Sequence, residues 1–197
     1  MTALPRENRT PLARYLEDSA QLLRRTAEHL PATRVEETIE TIVAALAANR
    51  PLLICGNGGS ASDAMHITGE LVGRFLRERR ALKAICLTSN PAVLTAWSND
   101  YSYETVFARQ VEAYGEPGAV LLGISTSGNS ANVLEAFQTA KPMGIATIAL
   151  TGEGGGRLGP LTDILLDVPS SSTPFIQQAH ICLYHYICEH VELRLSE

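Results

Sequence analysis

The chain has 197 residues, 45% of them apolar and 19% charged, and a formal net charge of −5. That length suits one α/β domain, residues 1–197, with a substantial core, and the acidic balance argues against general binding to nucleic acid or to an acidic membrane. No apolar run approaches the roughly 18 residues that a membrane span needs, and the polar start, MTALPRENRTPLARYLEDS, holds no apolar signal region.

From Pro11 to Asn49 the pattern is helical. ARYLEDSAQLLRRTAEHL sets Tyr15, Ala20, Leu22, Leu23, Ala27 and Leu30 near helical spacing, and VEETIETIVAALAANR follows as a second helix. Five short apolar runs then alternate with amphipathic stretches: PLLIC (51–55), LKAICL (82–87), AVLLGI (119–124), IATIAL (145–150) and DILLDV (163–168). Runs that are apolar nearly throughout are expected of parallel strands covered on both faces. Helical segments are expected at about 60–76, 89–98 with 103–114, 130–143 and 155–162. The alternation predicts a doubly wound sheet of five strands, with right-handed crossovers placing helices on both faces. The last segment, TPFIQQAHICLYHYICEHVELRL, reads as a long helix with Thr173 as N-cap and Pro174 at the first position. Its middle is apolar almost all round, which together with the helices at 11–49 predicts helices packed between subunits. Cys55, Cys86, Cys182 and Cys188 form no CxxC pair and no disulfide-like framework. Cys55 and Cys86 end strand runs, where small buried thiols are expected. A cytoplasmic enzyme fits these features.

Two loops follow strands and precede helices, which is where open α/β sheets bind ligands. In CGNGGSASDAMHITGE, Gly56, Gly58 and Gly59 open the backbone to an anion at a helix N-terminus. The spacing is neither GxGxxG nor a P-loop, so no nucleotide is implied. GISTSGNS (123–130) offers hydroxyls at Ser125, Thr126, Ser127 and Ser130 beside Gly128, neutral donors that suit a phosphate monoester. Either loop alone is also explained as a tight turn, the second with Ser130 as N-cap; two such loops after neighbouring strands point to a ligand. A third glycine loop, TGEGGGRLG (151–159), is assigned no role. His66 and Glu70, four residues apart, share one face of a helix. Gln177 and His185 lie two turns apart on the last helix. Each also has a plainer reading: His66 as a half-buried histidine with a satisfied partner, Glu70 as a solvated acid, His185 as a donor to a core carbonyl, Gln177 as exposed. His180 and His190 read as structural or surface residues.

CGNGGSASDAMHITGEL, GRF (73–75), LTAWSNDYSYETVFARQVEA, GISTSGNSANVLEA, ALTGEGGG and PFIQQAHICLYH together resemble the phosphoheptose isomerases of the sugar-isomerase (SIS) domain superfamily, over roughly residues 12–195. The resemblance implies a flavodoxin-like five-stranded sheet and a homotetramer with active sites between subunits. It implies conversion of sedoheptulose 7-phosphate to D-glycero-D-manno-heptose 7-phosphate, the first step toward the heptose of lipopolysaccharide or capsule. It carries a metal site, usually zinc and one per subunit, onto His66, Glu70, Gln177 and His185. It carries substrate binding onto Asn57, Gly58, Gly59, Ser60, Asn99, Asp100, Ser125, Thr126, Ser127 and Ser130, with Glu70, Gln177 and Arg74 also at the sugar. The chemistry agrees: a carboxylate such as Glu70 can move a proton between C1 and C2 through an enediol, His185 can serve the substrate oxygens, and zinc can polarise the carbonyl. A Glu70 that binds zinc tightly is a weaker base, so its two roles compete.

The chain departs from the family pattern at Ser89-Asn90-Pro91, where Thr-Asp-Thr/Ser is commoner, at Phe175, where a Lys or Arg often stands, and at Gln178, which replaces a common Glu. Two other readings share this fold. One is a non-catalytic adaptor that binds the replication initiator; it lacks the full Glu/His pair, which this chain has. The other is a sugar-phosphate-sensing module, which usually follows a DNA-binding domain. An isomerase of another sugar phosphate is the third alternative.

Overall fold

The computed structural model describes residues 10–196. The reading of the polar N-terminal start rests partly on residues 1–9, which lie outside the described residues. Two helices come first, α1 (Pro11–His29) and α2 (Ala32–Ala47). Five strands and five helices follow: β1 (Leu52–Gly56), α3 (Gly59–Val72), β2 (Ala84–Cys86), α4 (Pro91–Asp100), α5 (Val106–Tyr114), β3 (Val120–Ser125), α6 (Ala131–Ala140), β4 (Ala146–Thr151), β5 (Ile164–Asp167) and α7 (Thr173–Leu195). All pairings are parallel in the order β2-β1-β3-β4-β5. This is the expected doubly wound architecture, with its switch point between β1 and β3, where ligands of such sheets bind.

Both faces of the sheet are covered, which explains the continuous apolar runs. Leu52 and Ile54 of β1 pack with Ile39, Ile42, Ile67, Leu71, Tyr184 and Val191 on the α2–α3–α7 side. Leu53 and Cys55 point the other way, into Val106, Phe107, Val133 and Phe137 on the α5–α6 side. The period of two thus survives inside runs where every position is apolar.

Three details differ from the sequence reading. The expected helix at 155–162 is two short 3₁₀ turns, Glu153–Gly155 and Gly159–Leu161. Gly154, Gly155 and Gly156 have φ of 73°, 74° and 54°, which no right-handed helix accommodates. Helix α3 stops at Val72, not at residue 76, because the amides of Phe75, Leu76 and Arg77 are taken by the Glu192 carboxylate at 2.8, 2.6 and 2.9 Å. Helix α7 is capped one residue earlier than expected, at Ser172, whose carbonyl accepts the Ile176 N–H at 2.9 Å.

Helix α7 buries one stripe, including Ile176, Ala179, His180, Tyr184, Ile187, Cys188 and Val191, and leaves Ile181 and Tyr186 exposed. Phe175 and Gln178 both meet α1: Phe175 lies 4.9 Å ring-to-ring from Tyr15, and Gln178 donates to the Tyr15 hydroxyl at 3.0 Å. Asn90 caps α4 by accepting from the Ala92 and Val93 amides. Cys55 and Cys86 are buried free thiols. Among the described residues no helix is long and apolar enough to cross a membrane.

Candidate active site

Helices α3 and α7 run side by side in the same direction. Gln177 meets Gly59, Tyr184 meets Asp63 and His66, and Glu192 meets the chain just beyond α3. This pairing joins residues more than a hundred positions apart. His66 Nε2 lies 2.9 Å from Glu70 Oε1 and 3.5 Å from His185 Nε2. One ligand atom from each of His66, Glu70 and His185 falls within 4.8 Å of the others. Two imidazoles and a carboxylate converging so closely form a donor set that suits a divalent ion such as zinc.

The surroundings of the cluster are built, not incidental. The ring of Phe75 stacks on His185 at 5.6 Å and 23°. Tyr184, 2% exposed, places its ring edge-on to both His66 and His185, and its hydroxyl is 3.0 Å from His66 Nδ1. On its other side the hydroxyl donates to Asp63 Oδ1 at 3.5 Å. Burial raises the Asp63 pKa from its ordinary value, against the opposing pull of the Tyr184 hydrogen bond and of His66. Burial, with the Asp63 carboxylate adding to it, also keeps the Tyr184 phenol protonated. His180 faces away from the cluster. It is buried and bonded to the Thr151 carbonyl at 3.0 Å, and burial lowers its pKa to about 4, so it is a neutral structural histidine.

The first loop turns from β1 into α3. Asn57 and Asn132 exchange side-chain hydrogen bonds at 2.8 and 2.9 Å, and the Tyr103 hydroxyl donates to Asn57 Oδ1 at 2.7 Å. Gly58 occupies the N-cap of α3 without a side-chain cap bond, and Ser60 is buried in the first turn. The Gln177 amide fills the space that a Cβ on Gly59 would need. Gln177 thus meets the first turn of α3, seven residues before His66 on the same helix.

The second loop turns from β3 into α6. Ser130 stands at the N-cap position as expected, but its hydroxyl bonds Ser125 Oγ at 2.9 Å and makes no cap bond. Ser127 Oγ accepts the Asn129 amide. The third glycine loop turns out to be the buttress of the second. The Gly152 amide donates to the Thr126 carbonyl at 3.0 Å, and the Leu158 amide donates to Gly128 at 2.9 Å. A Cβ on Gly128, whose φ is +65°, would overlap the Gly155 carbonyl.

Three expected residues stand apart from these groups. Asn99 and Asp100 end α4 exposed, bonded to each other at 2.8 Å. Arg74 is exposed and pairs with Glu78 at 3.2 Å. Sequence reasoning missed Asp63, Tyr184, Asn132 and Tyr103. Asp63 carries a local signal, three residues before His66 on the same helical face. Tyr184 was legible only as an apolar position, and nothing local links Tyr103 or Asn132 to Asn57.

The SIS domain family model matches residues 14–152 of this chain, which span the first four strands of the sheet and the helix that carries His66 and Glu70. The chain is 56% identical over 161 residues to a phosphoheptose isomerase of Crocosphaera subtropica, covering 82% of each chain. Its fold matches the solved phosphoheptose isomerase of Francisella tularensis with a TM-score of 0.88 at 37% identity, covering 92% of this chain and 96% of that one. The corresponding enzyme GmhA of Neisseria gonorrhoeae gives 0.86 at 38% identity, covering 92% and 97%. The chain belongs to the phosphoheptose isomerase family and is an isomerase. These relatives do not favour the adaptor reading.

Proposed function

We propose that this isomerase interconverts sedoheptulose 7-phosphate and D-glycero-D-manno-heptose 7-phosphate, the entry to heptose synthesis for lipopolysaccharide or capsule, in the cytoplasm. The observation that carries the reading is the contact of Glu70, His66 and His185 at 2.9 and 3.5 Å in a chain whose relatives are phosphoheptose isomerases.

The reaction relocates one proton between C1 and C2 and one between their oxygens. Glu70 takes the carbon-bound proton and returns it to the neighbouring carbon through an enediol, which one carboxylate can do if it lies over both carbons. His185, held by Phe75, moves the proton at the substrate oxygens and assists ring opening. The phosphate end is held by Ser125, Thr126, Ser127, Ser130 and the uncapped start of α6. Asn57, Gly58, Gly59, Ser60, Gln177, Asn99, Asp100 and Arg74 are assigned to the sugar chain. His66, Glu70 and His185 would hold one zinc ion per subunit, with Gln177 as a further ligand. When bound, that ion would polarise the substrate carbonyl.

The assembly proposed is a homotetramer. It is supported by apolar side chains left exposed on α1 (Leu12, Leu16) and α7 (Ile181, Tyr186). The test is a coupled assay on C5–C7 ketose phosphates with zinc supplied. Turnover of the C7 substrate is expected, with a loss of 10²-fold or more on Glu70→Gln or His185→Ala, the scale of a lost general acid or base. Wild-type protein inert on every member of the panel would refute it.

A further inference from the structure

His66 presents its two ring nitrogens to different worlds. Nε2 faces Glu70 and His185, on the open side of the cluster. Nδ1 faces the buried hydroxyl of Tyr184 at 3.0 Å. Behind that hydroxyl lies Asp63, only 8% exposed, whose second oxygen, Oδ2, has no hydrogen-bond partner among the described residues. A phenol O–H between a carboxylate and a ring nitrogen can donate only one way. If it donates to His66, both Asp63 oxygens are left bare in the interior, which burial penalises. If it donates to Asp63, its oxygen lone pair faces Nδ1, and Nδ1 must carry the proton.

We propose that Asp63 and Tyr184 are positioning residues that keep the proton of His66 on Nδ1, so that when a cation replaces the proton shared by Nε2 and Glu70 Oε1, the Nε2 lone pair would be free to bind it together with Glu70 and His185. The inference rests on the metal-assisted part of the proposed function. A metal-binding imidazole whose second nitrogen donates to a fixed acceptor is oriented and made more basic. Here the acceptor is a phenol, which the carboxylate behind it keeps turned the right way. The arrangement also accounts for a buried acid three residues before His66 that no other part of the fold uses.

The test uses the full chain and the zinc ion as probe. Tyr184→Phe keeps the ring packing and removes only the hydroxyl. Zinc affinity, measured by competition with a chelating dye, is expected to fall about 10–100-fold, with the circular dichroism spectrum unchanged. Asp63→Asn retains a carbonyl that can accept the phenol proton and is expected to keep most of the affinity, whereas Asp63→Leu is not. In the zinc-loaded wild type, ¹⁵N shifts of His66 are expected to report protonated Nδ1 and ligated Nε2. Unchanged zinc affinity in Tyr184→Phe, or equal affinity in Asp63→Asn and Asp63→Leu, overturns the proposal. A wild type that isomerises its substrate without taking up zinc overturns it while leaving the isomerase intact. Tyr184-dependent zinc binding without turnover of any sugar phosphate removes the proposed reaction alone.

Discussion

Replacing Glu192 by Ala tests how the far end of the site is held. The side chains of Glu192 and Arg79 are each 1% exposed and lie 3.3 Å apart. The carboxylate also accepts the amides of Phe75, Leu76 and Arg77. Arg79 in turn donates to the carbonyls of Glu70 and Gly73 at 2.8 Å each. One ion pair thus ties the end of α3, the Phe75 segment and α7 together. Glu192→Ala strands a buried guanidinium and three amides, and breaking such a pair from one side costs about 3–5 kcal/mol. For a chain of this size each kcal/mol moves Tm by about 2–4 °C, so a fall of roughly 6–20 °C is expected in a calorimetric or fluorescence melt.

The pH dependence of the same variant adds a second reading. Burial pushes the Glu192 pKa up, but the hydrogen bonds from Leu76, Phe75 and Arg77 and the Arg79 charge outweigh it and hold the carboxyl below its ordinary range. A depressed folded-state pKa gives stability that is present above the unfolded value, about 4.3, and is lost as pH falls through the folded one. The gap between wild type and variant should therefore be full at neutral pH and close below about pH 4. A loss under about 1 kcal/mol at pH 7, or a gap that widens in acid, would refute the reasoning.

Three further outcomes follow from the site. Gly128→Ala should destabilise the protein by more than the roughly 1–2 kcal/mol of a left-handed residue alone, because its Cβ meets the Gly155 carbonyl; a urea titration reads this, and an unchanged midpoint would sink the buttress account. Ser130→Ala removes the partner of Ser125 and a donor proposed for phosphate, so KM should rise several-fold with little change in Tm. Phe75→Ala leaves His185 unstacked; kcat should fall about 10-fold or more while KM moves little, and a pure KM effect would contradict a role at His185.

The strand runs, the order of elements and the two glycine-bearing loops were legible in the sequence because each depends on residues close in the chain: continuous apolarity for a doubly covered strand, and glycine or serine where a strand turns into a helix. His66 and Glu70 were legible for the same reason, since four residues fix a helical face. The family resemblance added His185 and Gln177, but not their places. Only the packing of α7 parallel to α3 decided that His185 reaches His66 while Gln177 reaches Gly59, because that depends on which apolar stripe of an evenly apolar helix docks, and in what register. The same packing turned Tyr184 from a core position into the partner of His66, and Glu192 from a charge near the chain end into the clamp on Phe75. Local spacing sets which side chains share a face of one element. Contacts between elements are set by burial summed over the whole core, and no short stretch of sequence contains that sum.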